Sequence, residues 1–155
     1  MSCTSITNFV ALSDLIGTAG QPTPDQYQSV KDEGYELVIN LATPDSKGAI
    51  PNESEVVTSL GTSYFQIPVV WQSPTRQDFD LFTGLMDGLV ARKTFVHCVV
   101  NHRVSAFMFL YRTTQQGMDP LEAKNDMEQL WTPHGVWEEF VDTILTDHNI
   151  DYFSI

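Results

Sequence analysis

The run Phe95-Val96-His97-Cys98-Val99-Val100-Asn101-His102-Arg103-Val104-Ser105 sets a cysteine between a short β-branched stretch and a helical pattern, with an arginine five positions beyond it. A strand that feeds a loop opening a helix aims backbone N–H groups and the positive end of the helix dipole at one point. A cysteine there is favoured as the thiolate, the nucleophilic form of sulfur. Arg103 carries a planar fork of donors that matches two oxygens of a phosphate-like anion. The pattern points to an anion site containing a nucleophile, with Val99, Val100, Asn101 and His102 as its lining loop. The plainer alternative is packing, because free cysteines are among the most buried residues. What sets Cys98 apart is the conjunction of His97, Asn101, Arg103 and Ser105 around it.

That conjunction resembles the signature of the protein tyrosine phosphatase superfamily: His-Cys, five residues, Arg, then Ser or Thr, with Gly three residues after the Cys. Laid on this chain without a gap, His97, Cys98 and Ser105 match and Asn101 takes the Gly position. Asn is the non-Gly residue most at ease with positive φ. The departure is Arg103, one residue early, with Val104 where the family has Arg. Either the loop is a residue shorter and presents fewer inward N–H groups, or Arg103 starts about 100° round the helix and bends back to the anion. The resemblance implies Cys98 as nucleophile, Arg103 as phosphoryl clamp and Ser105 as the hydroxyl that helps the thiolate leave. His97 would support the loop through hydrogen bonds. His102 is expected to face solvent, as loop side chains do by default, with an anion contact or a helix cap as alternatives.

Such an enzyme also needs a carboxylic acid, usually from the loop after the strand that ends here in Ile67-Pro68-Val69. The chain reads Val70-Trp71-Gln72-Ser73-Pro74-Thr75-Arg76-Gln77-Asp78, with Trp71 near the expected place of the acid. Asp78 is the candidate proton donor, in competition with the first-turn carboxylate that helix starts favour. Asp45, in Ala42-Thr43-Pro44-Asp45-Ser46-Lys47-Gly48, is a second candidate. Its rival role is a turn-forming Asp beside Pro.

The elements that must position these residues read as one α/β domain. Helix is expected over Pro24–Glu33, Asn52–Leu60 and Thr75–Ala91, and strand over Tyr35–Leu41, Ser63–Val69 and the Cys98 run. The C-terminal third is helical over Arg103–Gln116, Asp119–Leu130 and His134–Thr146. The predicted architecture is a three-layer domain with a short central mixed or parallel sheet of four to five strands, flanked by helices. Gly34 and Gly61 fit left-handed helix C-caps, and Asp119-Pro120 fits a cap followed by proline. Leu81, Leu85 and Leu89 with Phe82 repeat at helical spacing and are expected in the core. The order of Gly17-Thr18-Ala19-Gly20-Gln21-Pro22, Leu37–Leu41, Tyr64–Val69, the Cys98 loop and Trp131-Thr132-Pro133 with Trp137 resembles the small bacterial dual-specificity branch of the same superfamily.

Composition narrows the function classes. A length of 155 residues suits one domain, and 42% hydrophobic with 11% aromatic residues suits a folded core. No apolar stretch of about 18 residues occurs, and the N-terminus lacks a leader-like basic and apolar block, so membrane association is not expected and a cytoplasmic location is. A net charge of −12 with eight scattered Lys and Arg argues against nucleic acid. It also opposes long-range attraction of anions and suggests slow turnover of charged substrates. Cys3 and Cys98 are the only cysteines and are expected to be reduced, with Cys3 in a mobile terminus. No Cys or His pair stands at finger spacing, so neither metal nor cofactor is expected.

Three functions remain open. The first is a cysteine-dependent phosphatase acting on a phosphotyrosine-like or small phosphomonoester. The second is a weak or inactive relative that binds an oxyanion or a phosphorylated partner. The third is a thiol redox or sulfur-transfer protein built on a reactive Cys98.

Overall fold

Runs rich in β-branched and aromatic residues form the centre of the molecule, a computed structural model that describes residues 2–155. The strands are β1 (Val10–Ala11), β2 (Ile16–Ala19), β3 (Leu37–Asn40), β4 (Ser63–Gln66) and β5 (Thr94–His97). The helices are α1 (Gln26–Asp32), α2 (Glu53–Ser59), α3 (Arg76–Gly88), α4 (His102–Thr114), α5 (Pro120–Glu128) and α6 (Val136–Asp147). The sheet order is β1-β2-β5-β3-β4, with β1 antiparallel at one edge and every other pair parallel. In this register Ala19, His97, Asn40 and Gln66 stand in one row at the C-terminal ends of the four parallel strands. That edge is where open α/β sheets place ligands.

All four residues of β3 and of β5 are buried, because helices cover both faces. Side chains alternate across the sheet. Phe95 and Val38 pack with Cys3, Tyr27, Val30 and Val57 on one side, while Leu37, Ile39 and Val96 pack with α3, α4 and α6 on the other. Residues 103–113 of α4 are all buried, so this helix is the hub of its layer.

The three-layer architecture agrees with the expectation, with five strands in a mixed sheet. Ile67–Val69 depart from strand geometry at Pro68, which has no N–H to give a ladder. Gly34 and Gly61 take φ of 90° and 79° after α1 and α2, as left-handed caps require. Asp119 caps α5 by accepting the Glu122 N–H. Two expectations are corrected. Leu81 is 55% exposed, because the inner stripe of α3 runs Phe79, Phe82 and Met86. Cys3 is fully buried in a short 3-10 turn (Cys3–Ser5), and its N–H donates to the Glu33 carboxylate at 2.6 Å. Burial, followed by Glu33, pushes its thiol up to about 12. No described helix is long and apolar enough to cross a membrane.

The two neighbours on α3 give a direct check. Phe82→Ala should lower stability by about 3–5 kcal/mol through loss of burial and a residual cavity. Leu81→Ala should stay within about 0.5 kcal/mol. Urea denaturation of both variants measures the contrast.

Candidate active site

Alternation along β5 continues into the loop that follows it. His97 faces the side of Phe95, beneath α1 and α2, and Cys98 joins the opposite core at 1% exposure. The His97 ring is fully buried. Its Nδ1 lies 3.2 Å from the Cys98 carbonyl, an acceptor, and so carries the hydrogen and donates. Its Nε2 lies 3.0 Å from the Tyr27 hydroxyl and 3.3 Å from Glu53 Oε1. Glu53 is 5% exposed and accepts from Gln21 and the Tyr27 hydroxyl on one oxygen, both at 2.6 Å. Its other oxygen accepts from Asn40 at 2.9 Å and the Tyr64 hydroxyl at 2.6 Å. Burial opposes ionisation, yet the bond and charge of His97 with the two tyrosine hydroxyls outweigh it and hold the carboxyl at about 2. Burial and the same carboxylate push both tyrosines up.

Carbonyl and N–H leave opposite sides of a trans peptide plane, so the partner of one fixes the direction of the other. His97 Nδ1 holds the Cys98 carbonyl and turns the Val99 N–H away. The Gln21 N–H holds the Val99 carbonyl at 2.9 Å and turns the Val100 N–H likewise. Gly20 permits this approach, since a Cβ there would stand 2.5 Å from the Val99 oxygen. Asn101 takes φ 68° at the start of α4, the left-handed conformation its type allows. The antiparallel bridge between Gly20 and Val100 turns the Asn101 N–H toward the Ala19 carbonyl. Among the described residues, the N–H groups of Val99, Val100, His102, Arg103 and Val104 have no protein acceptor, and Ser105 is the first of the helix to bond, to Asn101 at 3.1 Å. The loop thus keeps five unpaired donors, three of them the ordinary orphans of a helix start.

Arg103 is 6% exposed, and its Nη1 donates to the Val69 carbonyl at 2.8 Å. Arg76, Arg92 and Arg112 each pair with a carboxylate; among the described residues Arg103 has none at ion-pair distance. Ser105 is buried, donates to the His102 carbonyl at 3.1 Å and accepts the Trp131 indole N–H at 2.9 Å. His102 is half-buried against Trp131, with centroids 4.6 Å apart and planes within 2°, which corrects the expectation of a solvent-facing side chain. Burial, then the nearby His134, lowers its pKa. Trp71 and Trp137 complete this aromatic wall, and the Trp137 N–H fixes the Trp71 carbonyl at 2.8 Å.

The carboxylate candidates stand differently. Asp78 forms a reciprocal capping box with Thr75, both bonds at 3.1 Å, at the start of α3. Asp45 is exposed in the turn Thr43–Ser46. No hydrogen bond or ion pair among the described residues joins either to the Cys98 loop. No group of three metal-ligating side chains is found among them. Sequence reasoning missed Glu53, Tyr27, Tyr64 and Asn40, which touch the loop only through His97. Glu53 reads in sequence as an ordinary first-turn acid of a helix, and no local signal shows it turned inward.

No family profile and no curated protein matches the chain. Solved structures do. A DUF442 protein of Shewanella putrefaciens CN-32, named as a candidate phosphatase, is similar over 93% of this chain and 95% of its own, at 29% identity and a TM-score of 0.83. TpbA of P. aeruginosa, captured with pTyr, is similar over 79% of this chain and 72% of its own, at 14% identity and a TM-score of 0.65. The core catalytic domain of the S. cerevisiae PP-IP phosphatase SIW14, in complex with citrate, covers 95% of this chain and 98% of its own, at 12% identity and a TM-score of 0.70. The last two likenesses are likenesses of fold.

The Glu53 cluster predicts an acid limb of stability. The folded carboxyl sits at about 2 against an ordinary 4.5, so its contribution is complete above 4.5 and is lost as pH falls through 2. Glu53→Gln should flatten that limb and cost about 3 kcal/mol at neutral pH, because the donors around it lose their charged acceptor. Urea melts from pH 7 down to pH 2 compare the two proteins.

Proposed function

From the premise that the chain has the fold of the protein tyrosine phosphatase superfamily, we propose that it is a cysteine-dependent phosphatase. One observation carries the reading: Arg103 is buried beside the Cys98 loop without a carboxylate partner. An uncompensated buried cation is costly unless an anion completes it. The five unpaired N–H groups of the same loop are suited to oxyanion oxygens.

In the mechanism, the phosphoryl oxygens lie on the unpaired N–H groups of the loop and on the free donors of Arg103. Cys98 Sγ attacks phosphorus, and the bond to the leaving oxygen breaks as the S–P bond forms. Water then attacks phosphorus, phosphate leaves, and Sγ regains its electron pair as thiolate. His97 holds the Cys98 carbonyl outward throughout, and Ser105, beside the helix start, stabilises the departing thiolate by turning its hydroxyl from His102. Val100, Asn101 and His102 line the cradle. Asp78 is the proposed proton donor, released for that step from its cap on α3. Glu53, held ionised, has no proton to give.

Trp71 in the expected place of an acid favours a second reading, an oxyanion- or phosphoprotein-binding domain with little turnover. Both readings require the same loop, so anion binding tests them together and turnover separates them.

Vanadate or phosphate should protect Cys98 from alkylation. Arg103→Lys should weaken that protection and cut aryl phosphate hydrolysis by roughly 100-fold, while Cys98→Ser should abolish hydrolysis. An ordinary thiol indifferent to oxyanions would sink both readings; protection without turnover selects the second.

Because Asp78 must leave its helix cap before it can protonate the leaving oxygen, the rate should depend steeply on the leaving group. Nitrophenyl phosphate should be hydrolysed at least about 100-fold faster than an alkyl phosphate, the order of magnitude that a positioned general acid normally supplies. Asp78→Asn should then cost α3 stability and little of the nitrophenyl rate. kcat/KM across a series of leaving groups reads the slope.

A further inference from the structure

The chemistry proposed above sets one guanidinium against more than one negative charge. A phosphomonoester carries close to two at neutral pH, and the attacking thiolate adds another. Backbone N–H groups answer with partial charges only. Within the loop from Val99 to Arg103, His102 is the one other residue that can become positive. It opens α4, and its own N–H and that of Arg103 are among the unpaired donors. Its ring is stacked on Trp131, with centroids 4.6 Å apart and planes within 2°, and Trp71 lies tilted beside it at 6.5 Å. Stacking engages the faces of an imidazole and leaves its edge, where both nitrogens stand. The rings of His97 and His148 are hydrogen-bonded, whereas among the described residues neither nitrogen of His102 has a partner. Its packed neighbours offer nothing to hold a proton. Trp71, from the connection between β4 and α3, and Trp131, from the connection between α5 and α6, are uncharged. His134, whose ring lies 6.0 Å from that of Trp131, opposes a positive charge, and the titratable groups of the loop itself are Cys98 and Arg103. Among the described residues no carboxylate stands at ion-pair distance from His102.

We infer that His102 is a second cationic group of the anion site, neutral while the site is empty and positive when a dianion occupies it. The inference rests on the phosphatase reading above and adds to it that binding takes up a proton. The proton comes from solvent and goes to a ring nitrogen, and no bond of the bound anion changes. An opposite charge nearby favours the charged form of a titrating group, and the bound dianion is the partner that the empty surroundings lack. The Trp131 face, parallel to the ring, is attractive to a cation and holds the imidazolium in place once it forms. Proton and anion are then two ligands that strengthen one another by the same factor. Affinity for a dianion is greatest at a pH below the His102 value of the empty protein, where the ring is already charged. It falls as pH rises from that value to the value of the occupied protein, and is level above it.

Sulfate is the probe, since it stays a dianion from pH 5 to pH 8, the interval in which histidine changes charge. The parent protein is Cys98→Ser, in which no thiolate titrates alongside. Calorimetry in two buffers of different ionisation heat gives the dissociation constant and the protons taken up. Sulfate affinity should fall about 10-fold from pH 5 to pH 8, the ratio that matches a tenfold firmer hold on the proton in the complex. Proton uptake should be largest near the ordinary imidazole value of about 6.5. Adding His102→Phe keeps a ring against Trp131 without the proton, so its affinity should stay at the parent's weak pH 8 level throughout, with that uptake gone. Adding His102→Arg, always charged, should make binding as firm at pH 8 as at pH 5. Adding His134→Asn should keep the pH dependence and move it to higher pH, since one opposing group is gone. Affinity and uptake that are the same with His102→Phe as in the parent, or a dependence lost with His134→Asn instead, would overturn the inference and leave the anion site standing. A parent protein that binds no sulfate at any pH would overturn the phosphatase reading, and the His102 role with it.

Discussion

Glu53 is a charge in the interior that five separate parts of the chain converge to solvate. Gln21 follows β2, Tyr27 lies in α1, Asn40 ends β3, Tyr64 lies in β4 and His97 ends β5. A carboxylate so enclosed is tolerable only when every lone pair is met, and removing any one donor strands part of the charge. The cluster therefore ties the C-terminal ends of three neighbouring strands to both helices of one layer. His97 is the point at which this network reaches the loop, since one ring nitrogen faces Glu53 and the other faces the Cys98 carbonyl. The direction of the first loop N–H is thus set by a charge buried on the opposite face of the sheet.

The loop extends the same logic through peptide planes. An anion loop can lose donors in two ways, by having fewer residues or by having peptides that turn the wrong way. The structure limits the second by securing the Cys98 and Val99 carbonyls from outside, with His97 and Gln21. The early arginine is accommodated in a related manner. Its guanidinium is steadied on the Val69 carbonyl, just after the bend at Pro68 where the chain leaves the sheet. Irregular backbone after β4 thus supplies the acceptor that orients Arg103.

Much of this was legible in the sequence, for identifiable reasons. Short β-branched runs and helical periods gave the α/β order because each signal is local. Asn101 was readable because few residue types tolerate positive φ, and the chain needs one at the turn into α4. Leu81 was misread because a leucine repeat at four-residue spacing does not say which side of the stripe meets the core, and Phe79, Phe82 and Met86 do. His102 was misread because its partner, Trp131, arrives from a distant connection after α5. Glu53 left no local trace, since it matters through hydrogen bonds 11 to 32 positions away. Long-range polar pairing is the part of a site that periodicity and propensity do not encode.

The net charge of −12 and an anion site are compatible once distance is considered. At physiological ionic strength the field of exposed carboxylates decays over a Debye length of about 8 Å. It acts on the approach of an anion more than on its residence. In the proposed site, residence would be set by Arg103 and by N–H groups within hydrogen-bonding distance, beside the aromatic contacts of Trp71, Trp131 and His102. A cation buried to 6% exposure is screened little by salt, whereas the surface charge is screened strongly. Added salt should therefore speed the arrival of a charged substrate more than it weakens its hold. That response is the opposite of the one shown by a site that relies on a positive surface to gather its anions.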